Sequence, residues 1–272
     1  MWLIDGRRAT RLPVTDRGLH YGDGLFETLA VVEGRVRLLP LHLARLAEGC
    51  RRLHLPPPPA DLLAGELERL ARRQARAVLK LIVSRGDGQR GYAPPQPTHT
   101  RRMLGRFAWP SWPRSHYTRG VAVRVCETRL GLNPALAGVK HLNRLEQVMA
   151  RSEWRGGPWQ EGIMLDSEGR VVCGTMSNVF AVRQGRLETP ALTRCGVAGV
   201  MRGLVRREAA RLGLECIERD LDLDTLAGAD ELFLTNALIG LWPVRRLGAR
   251  DMSRGPLTRA LQGALADAGV GA

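Results

Sequence analysis

Short apolar runs alternate with turn signals at the start of the chain, in WLIDGRR and then in FETLAVVEGRVRLL, where Glu33-Gly34 reads as a hairpin turn between two strands. The opening forty residues therefore predict an antiparallel sheet. From Leu41 the period becomes helical, with Leu43, Leu46, Cys50 and Leu53 on one stripe, until the prolines at 56 to 59 stop it. Asp61 is placed to cap a second helix from about Leu62 to Arg73, with Leu63, Leu67 and Leu70 facing inward. AVLKLIVSRG follows as an apolar strand ending at glycine.

The pattern loses its period over FAWPSWPRSHYTR, residues 107–119, where two Trp-Pro pairs mark a connector. Beyond it, VAVRVCETRL, EGIMLDSEGRVVCG and NVFAVRQGRLETP read as strands, the last two as hairpins turned at Ser167 to Gly169 and at Gln184-Gly185. One helix is expected from Lys140 to about Arg151, with Leu142, Leu145, Val148 and Met149 as its apolar stripe. A second runs from about Gly199 to Leu212 with Gly213 closing it. ELFLTNALIGLWPV returns to strand, and Pro256 opens a last helix. The expectation is an α+β chain of mixed sheets: a first domain over 1–106, a connector over 107–119 and a second domain over 120–272. The halves show no repeat.

Composition adds limits. A chain of 272 residues, 44% hydrophobic, can bury substantial cores. The start MWLIDGRRAT lacks an apolar run after a basic flank and no uninterrupted apolar stretch reaches membrane length, so neither leader nor membrane span is expected and the cytoplasm is the default compartment. Five cysteines, odd in number and far apart with no CxxC pair, point to reduced thiols and away from a metal site. The net charge of +14 raises a nucleic-acid-binding reading. The arginines are scattered along helix faces without a dense block or interleaved aromatics, so that reading is set aside; attraction of a small polyanionic substrate fits the charge equally well.

Among the 41 basic residues only Lys80 and Lys140 are lysine. Guanidinium stays protonated, whereas a primary amine can lose its proton and attack a carbonyl, so a lysine kept at GVKHLNRLEQVM suggests amine chemistry. Lys140 would stand at a helix start, where the dipole and burial favour the neutral amine. Lys80, inside VLKLIV, reads as a strand residue at an interface or solvent position. Cys195 to Gly199 leads directly into a helix, and Gly196 and Gly199 let backbone amides face an anion. The hydroxyl of Thr235 and the charge of Arg45 can join them. An isolated lysine, a phosphate cradle and a stray arginine together suggest pyridoxal 5′-phosphate.

These segments resemble the fold-type IV pyridoxal-phosphate enzymes. The resemblance is carried by DRGLHYGDGLFETL, HLARL, SRGDGQRGY, LAGVKHLNRLEQV, LDSEGRVV, TMSNVF, GVAGVMR and TNAL, which span nearly the whole chain. KHLNRLEQ and SRG with RGY are similar to the lyase branch, which converts 4-amino-4-deoxychorismate to 4-aminobenzoate and pyruvate. The resemblance implies a D-amino acid aminotransferase-like homodimer. Each chain would have a small amino-terminal α/β domain and a larger β-barrel-like carboxy-terminal one, with the active site between them. It implies that Lys140 carries the coenzyme, that Arg45, the amides of Val197 and Ala198, and Thr235 bind its phosphate, and that Thr28 aids proton transfer.

Arg90 and Tyr92 would face the substrate, with His141 and Arg144 as further partners for its carboxylates. Cys173 stands where relatives have the glutamate that pairs with the pyridine nitrogen. A thiol, with an ordinary pKa of about 8.5, replaces that carboxylate poorly. The loss weakens the ring as an electron sink and favours a lyase, driven by forming an aromatic ring, over a transaminase. A D-amino acid or branched-chain aminotransferase is the alternative within the family.

Overall fold

The computed structural model describes residues 1 to 271. By the contacts within the chain it falls into two compact units, Met1–Pro110 with Val139–Asn143, and Ser111–Gly138 with Arg144–Ala272.

The first unit runs β1 (Trp2–Ile4), β2 (Arg7–Arg8), α1 (Arg17–Tyr21), β3 (Gly24–Val32), β4 (Arg35–Val36), α2 (Leu39–Arg52), α3 (Ala60–Ala71), β5 (Arg76–Ser84) and β6 (Arg101–Phe107). Among the described residues its strands form a six-stranded sheet in the order β2-β1-β6-β5-β3-β4. Alternation sorts its side chains onto two faces. Leu25, Leu29, Leu79, Leu81, Val83 and Leu104 face Leu46, Cys50, Leu63 and Leu67 of α2 and α3, and the buried Val139 joins that core. The opposite face carries Phe26 and Thr28 of β3 and their register partners Ile82 and Lys80. The turn at Glu33 and Gly34 has φ of 51° and 75°, the left-handed pair that a tight hairpin needs.

The second unit comprises α4 (Ser115–Thr118), β7 (Val121–Val125), α5 (Leu145–Ser152), β8 (Trp159–Leu165), β9 (Val171–Gly174), β10 (Asn178–Arg183), β11 (Arg186–Pro190), α6 (Val200–Arg211), β12 (Cys216–Arg219), α7 (Leu223–Ala227), β13 (Glu231–Asn236), β14 (Gly240–Leu247), β15 (Arg250–Asp251) and α8 (Pro256–Asp267). Its main sheet path is β12-β11-β10-β13-β14-β7-β8-β9. The sheet curls until its ends meet: the Val171 amide of β9 donates to the Leu221 carbonyl, 2.8 Å away and just past β12. Val123, Ile163, Val179, Leu234 and Trp242 fill the interior. Among the described residues no helix is long and apolar enough to cross a membrane, and all five cysteines are free thiols.

Two local expectations change. Asp61 is not a cap: α3 starts earlier, at Ala60 after Pro59, and the Asp61 carboxylate lies in its first turn, where it favours the helix dipole. The helix expected from Lys140 starts only at Leu145. Before it the chain is extended, because the Phe26 amide donates to the Lys140 carbonyl (3.1 Å) and the Leu142 amide to the Gly24 carbonyl (3.0 Å), which adds this segment to the edge of β3. The helix-dipole argument for Lys140 therefore falls away. Most of that helix's apolar stripe is solvent-facing in the single chain, with Leu145 70%, Val148 58% and Met149 55% exposed.

Candidate active site

In the first unit the candidate face is built around Phe26. The Lys140 amine lies 4.2 Å from the centre of its ring. Val139, buried in the core beside it, fixes the backbone from which that amine extends. Thr28 is two residues along β3 on the same face, half-buried and in register with Lys80. His141 pairs with Leu25 across the β3 edge.

On the other face of β3, Glu27 is buried and binds two partners from α2. Its carboxylate accepts from Arg45 Nε at 2.8 Å and Arg45 Nη2 at 2.5 Å, and meets His42 Nδ1 at 2.6 Å. Burial alone would raise its pKa, but the bonds from His42 and Arg45 outweigh it and hold the carboxyl below its ordinary range. Arg45, expected at a phosphate, thus has part of its fork committed to Glu27, which fixes the guanidinium plane.

Arg90 and Tyr92 are exposed on a loop that is anchored from beneath. The buried Arg17 donates to the carbonyls of Gly91 and Tyr92, each at 3.0 Å, while the Gly91 amide donates to the Tyr21 hydroxyl at 3.1 Å. Gly88 is required there, since a Cβ would stand 2.7 Å from the Arg17 side chain.

The second unit supplies a backbone cradle. Gly196 has φ of +86°, and a Cβ there would press on Val172 and Leu192; at Gly199 a Cβ would sit 2.1 Å from Asn178 Oδ1. Asn178 Nδ2 in turn donates to the Val197 carbonyl at 2.9 Å. α6 begins at Val200 with no side chain capping it, so its first-turn amides are presented as an anion site. Ala198 differs from expectation: its amide donates to the Gly138 carbonyl at 3.0 Å, because Gly138 and Val197 pair as a bridge. Thr235 is fully buried, and its hydroxyl donates to the Gly240 carbonyl at 2.7 Å, closing the β13–β14 hairpin. Uncapped amides, glycines with no room for a side chain and the fixing Asn178 fit a phosphate group.

Below the TMSN turn lies a carboxylate that sequence reasoning missed. Glu161, 1% exposed, accepts from the amides of Gly162 (2.9 Å), Thr175 (3.1 Å) and Met176 (3.2 Å), from the Ser177 hydroxyl (2.9 Å) and from the Thr175 hydroxyl. Asn236 Nδ2 donates to the Met176 carbonyl at 3.1 Å. A single acid in the otherwise apolar EGIML was the available signal. Cys173, in β9, is buried beside it. Burial, reinforced by the Glu161 charge, pushes its thiol pKa far up, so the sulfur stays protonated. Burial likewise lowers the pKa of Arg144, against the opposing influence of Cys173 and Glu146.

A family profile described as Amino-transferase class IV matches residues 24–247. The chain belongs to this family. Within class IV, the aminodeoxychorismate lyase of Vibrio harveyi is 35% identical over 97% of this chain and 99% of its own length. A putative branched-chain-amino-acid aminotransferase of Methanocaldococcus jannaschii is 32% identical over 93% of this chain and 89% of its own. The crystal structure of 4-amino-4-deoxychorismate lyase from Pseudomonas aeruginosa superposes with a TM-score of 0.95 at 50% identity, covering 98% of both chains. The class IV fold expected from the sequence is therefore present.

Proposed function

We propose that this class IV protein is a pyridoxal-phosphate-dependent lyase that converts 4-amino-4-deoxychorismate to 4-aminobenzoate and pyruvate. The observation that carries the reading is the 50% identity, over 98% of both chains, to the Pseudomonas aeruginosa lyase. The geometry supports it. The amides of Val197 and of the first turn of α6 hold the coenzyme phosphate, assisted by Arg45, and Lys140 holds its carbonyl end; the Thr235 hydroxyl, expected to join them, is spent on the Gly240 carbonyl.

The bound coenzyme supplies a carbonyl carbon for amine exchange and a ring that draws electrons from the attached carbon. With the coenzyme bound, Lys140 Nζ would hold it and would also serve as the base that accepts the proton from the substrate ring carbon that bears nitrogen. The neighbouring C–O bond breaks with its electron pair on oxygen. Enolpyruvate leaves and gains a proton to become pyruvate, and the ring becomes aromatic. Thr28 assists the proton transfer from the same sheet face. Arg90, Tyr92, His141 and Arg144 receive the substrate.

Cys173 favours this reaction over amino-group transfer. A thiol that stays protonated offers no negative charge to hold a proton on the ring nitrogen, so the electron sink is weak. A lyase that gains aromaticity tolerates that loss. An aminotransferase would convert the coenzyme to its amine form on addition of D-alanine or a branched-chain amino acid, and no such conversion is expected here.

The exposed stripe of Leu145, Val148 and Met149 supports a homodimer, since three large apolar side chains on one helix call for a partner surface. The cytoplasm is the compartment proposed. Lys140→Arg tests the core of the reading: the variant should unfold at the wild-type temperature, show no visible coenzyme band and have background activity, because guanidinium cannot capture a carbonyl. Lyase activity retained in that variant would end the proposal.

A further inference from the structure

Between β5 and β6 the chain makes a long loop, and among its described residues 87 to 100 none is buried. Packing cannot give such a segment one shape, so hydrogen bonds must. At residues 91 to 93 those bonds converge on one buried side chain. We propose that Arg17 is a positioning residue for the substrate. Its guanidinium sets the shape of residues 88 to 93, and with it the places from which Arg90 and Tyr92 meet the substrate, an inference that rests on the lyase reading above.

Every guanidinium nitrogen of Arg17 is in use. Nε donates to Asp23 Oδ2 at 2.9 Å, Nη2 to the Tyr92 carbonyl at 3.0 Å, and Nη1 to the carbonyls of Gly91 (3.0 Å) and Ala93 (3.4 Å). Three consecutive carbonyls turned toward one cation is the opposite of an extended strand, where they alternate between two sides. The loop therefore bends around the charge, and the rigid plane of the fork fixes where its peptide groups lie. Tyr21 completes the mount. Its ring centre is 4.8 Å from the Arg17 guanidinium carbon, its hydroxyl accepts the Gly91 amide at 3.1 Å, and its ring stands 5.5 Å from that of Tyr92.

Charge explains why the loop stays. Asp23 Oδ2 also accepts from Arg85 Nε at 2.7 Å, while Arg85 donates to the carbonyls of Leu53 (2.8 Å) and His54 (3.0 Å) at the end of α2. Two buried guanidiniums thus share one carboxylate. The carbonyl dipoles of the loop supply the remaining negative potential that the buried Arg17 needs. Arg90 lies between two anchored positions, Gly91 and Gly88, whose amide donates to the Thr15 carbonyl at 3.0 Å. A loop mounted in this way meets the substrate already shaped, so binding does not cost the ordering of an unpacked segment.

Arg17→Lys keeps the positive charge but has one nitrogen in place of three, and Asp23 keeps Arg85, so no buried acid is left alone. Trypsin reads the loop without coenzyme or substrate. The Arg90–Gly91 bond should be cut roughly tenfold faster in Arg17→Lys than in wild type, about the effect of losing one hydrogen bond to a charged group; fragment masses identify the cut. KM for 4-amino-4-deoxychorismate should rise by a similar factor while the turnover number and the visible coenzyme band hold. Because Arg17 acts through Arg90, Arg90→Ala should raise KM severalfold in the wild-type background and change it little in Arg17→Lys.

Faster cutting after Arg90, a raised KM and a muted Arg90→Ala effect support the assignment. An unchanged cutting rate at that bond overturns it. So does a lowered unfolding temperature with KM unchanged, which is the result for a residue that only stabilises the fold, and so does an Arg90→Ala effect equally large in both backgrounds. The wild-type protein gives an independent reading: if its Arg90–Gly91 bond is cut as fast as the same bond in a free peptide of residues 84 to 98, the loop is not held and the inference is refuted even if no variant folds. Failure of the lyase reading would appear differently, as wild-type protein that takes up no coenzyme or an active Lys140→Arg variant, and trypsin would still decide whether Arg17 holds the loop.

Discussion

The two units arrange their functional groups by opposite means. In the first, the proposed reactive groups are side chains projecting from one face of a sheet, and the strand that carries them is pinned from behind by an ionic cluster of Glu27, His42 and Arg45. In the second, the proposed anion cradle is backbone, shaped by glycines whose missing Cβ atoms make the room and by Asn178, which ties the loop down. Side-chain sites fail when a side chain is removed; backbone sites fail when one is added.

That contrast can be broken at two points beyond Lys140 and Arg17. The larger effect is expected from Glu27→Ala. It leaves Arg45 and His42 buried without their carboxylate, and losing one partner of a buried ion pair typically costs about 3–5 kcal/mol. Urea unfolding should show this near neutral pH. The sign with pH follows from the depressed pKa of Glu27: its contribution is complete above the ordinary value of 4.5 and disappears as pH falls through the lower folded value. The gap in stability between wild type and Glu27→Gln should therefore narrow on acidification. A gap that widens would mean that Glu27 is not held as a carboxylate.

Gly199→Ala sharpens the other side. Gly199 has an ordinary φ of −66°, so no backbone strain arises; the added methyl group collides with the Asn178 side-chain amide, with Oδ1 at 2.1 Å. Stability should drop modestly, by about 1–3 kcal/mol as for other overpacking changes, while coenzyme affinity, measured by absorbance titration, should fall. Should Gly199→Ala bind coenzyme as wild type does, the cradle is not where the phosphate rests.

Much of the architecture could be read from local chemistry. Glu33-Gly34 and Gln184-Gly185 announced their hairpins because only certain residues adopt the left-handed turn, and Pro256 opened its helix because the first turn needs no amide from it. The run around Lys140 was misread as helix because its apolar spacing is helical, while the bonds that hold residues 140 to 142 extended come from β3, more than a hundred residues earlier. The stripe of Leu145, Val148 and Met149 shows the same limit: periodicity reports that a face is apolar, not what covers it.

For the site, scarcity was the legible signal. Two lysines among so many arginines mark where an amine is wanted, since one chemical property separates the residues and composition alone displays it. Composition cannot tell whether two such amines are neighbours. Lys80 and Lys140 are brought to one phenylalanine ring by the pairing of β3 with β5 and by the extended segment at the β3 edge. Glu161 gathers five donors only because the hairpin of β8 and β9 folds over it. The sequence by itself determined which chemical groups this protein owns and which local turns it makes, because those depend on each residue and its immediate neighbours. Which groups face each other was decided by the tertiary structure, because strand register between distant segments sets every such distance.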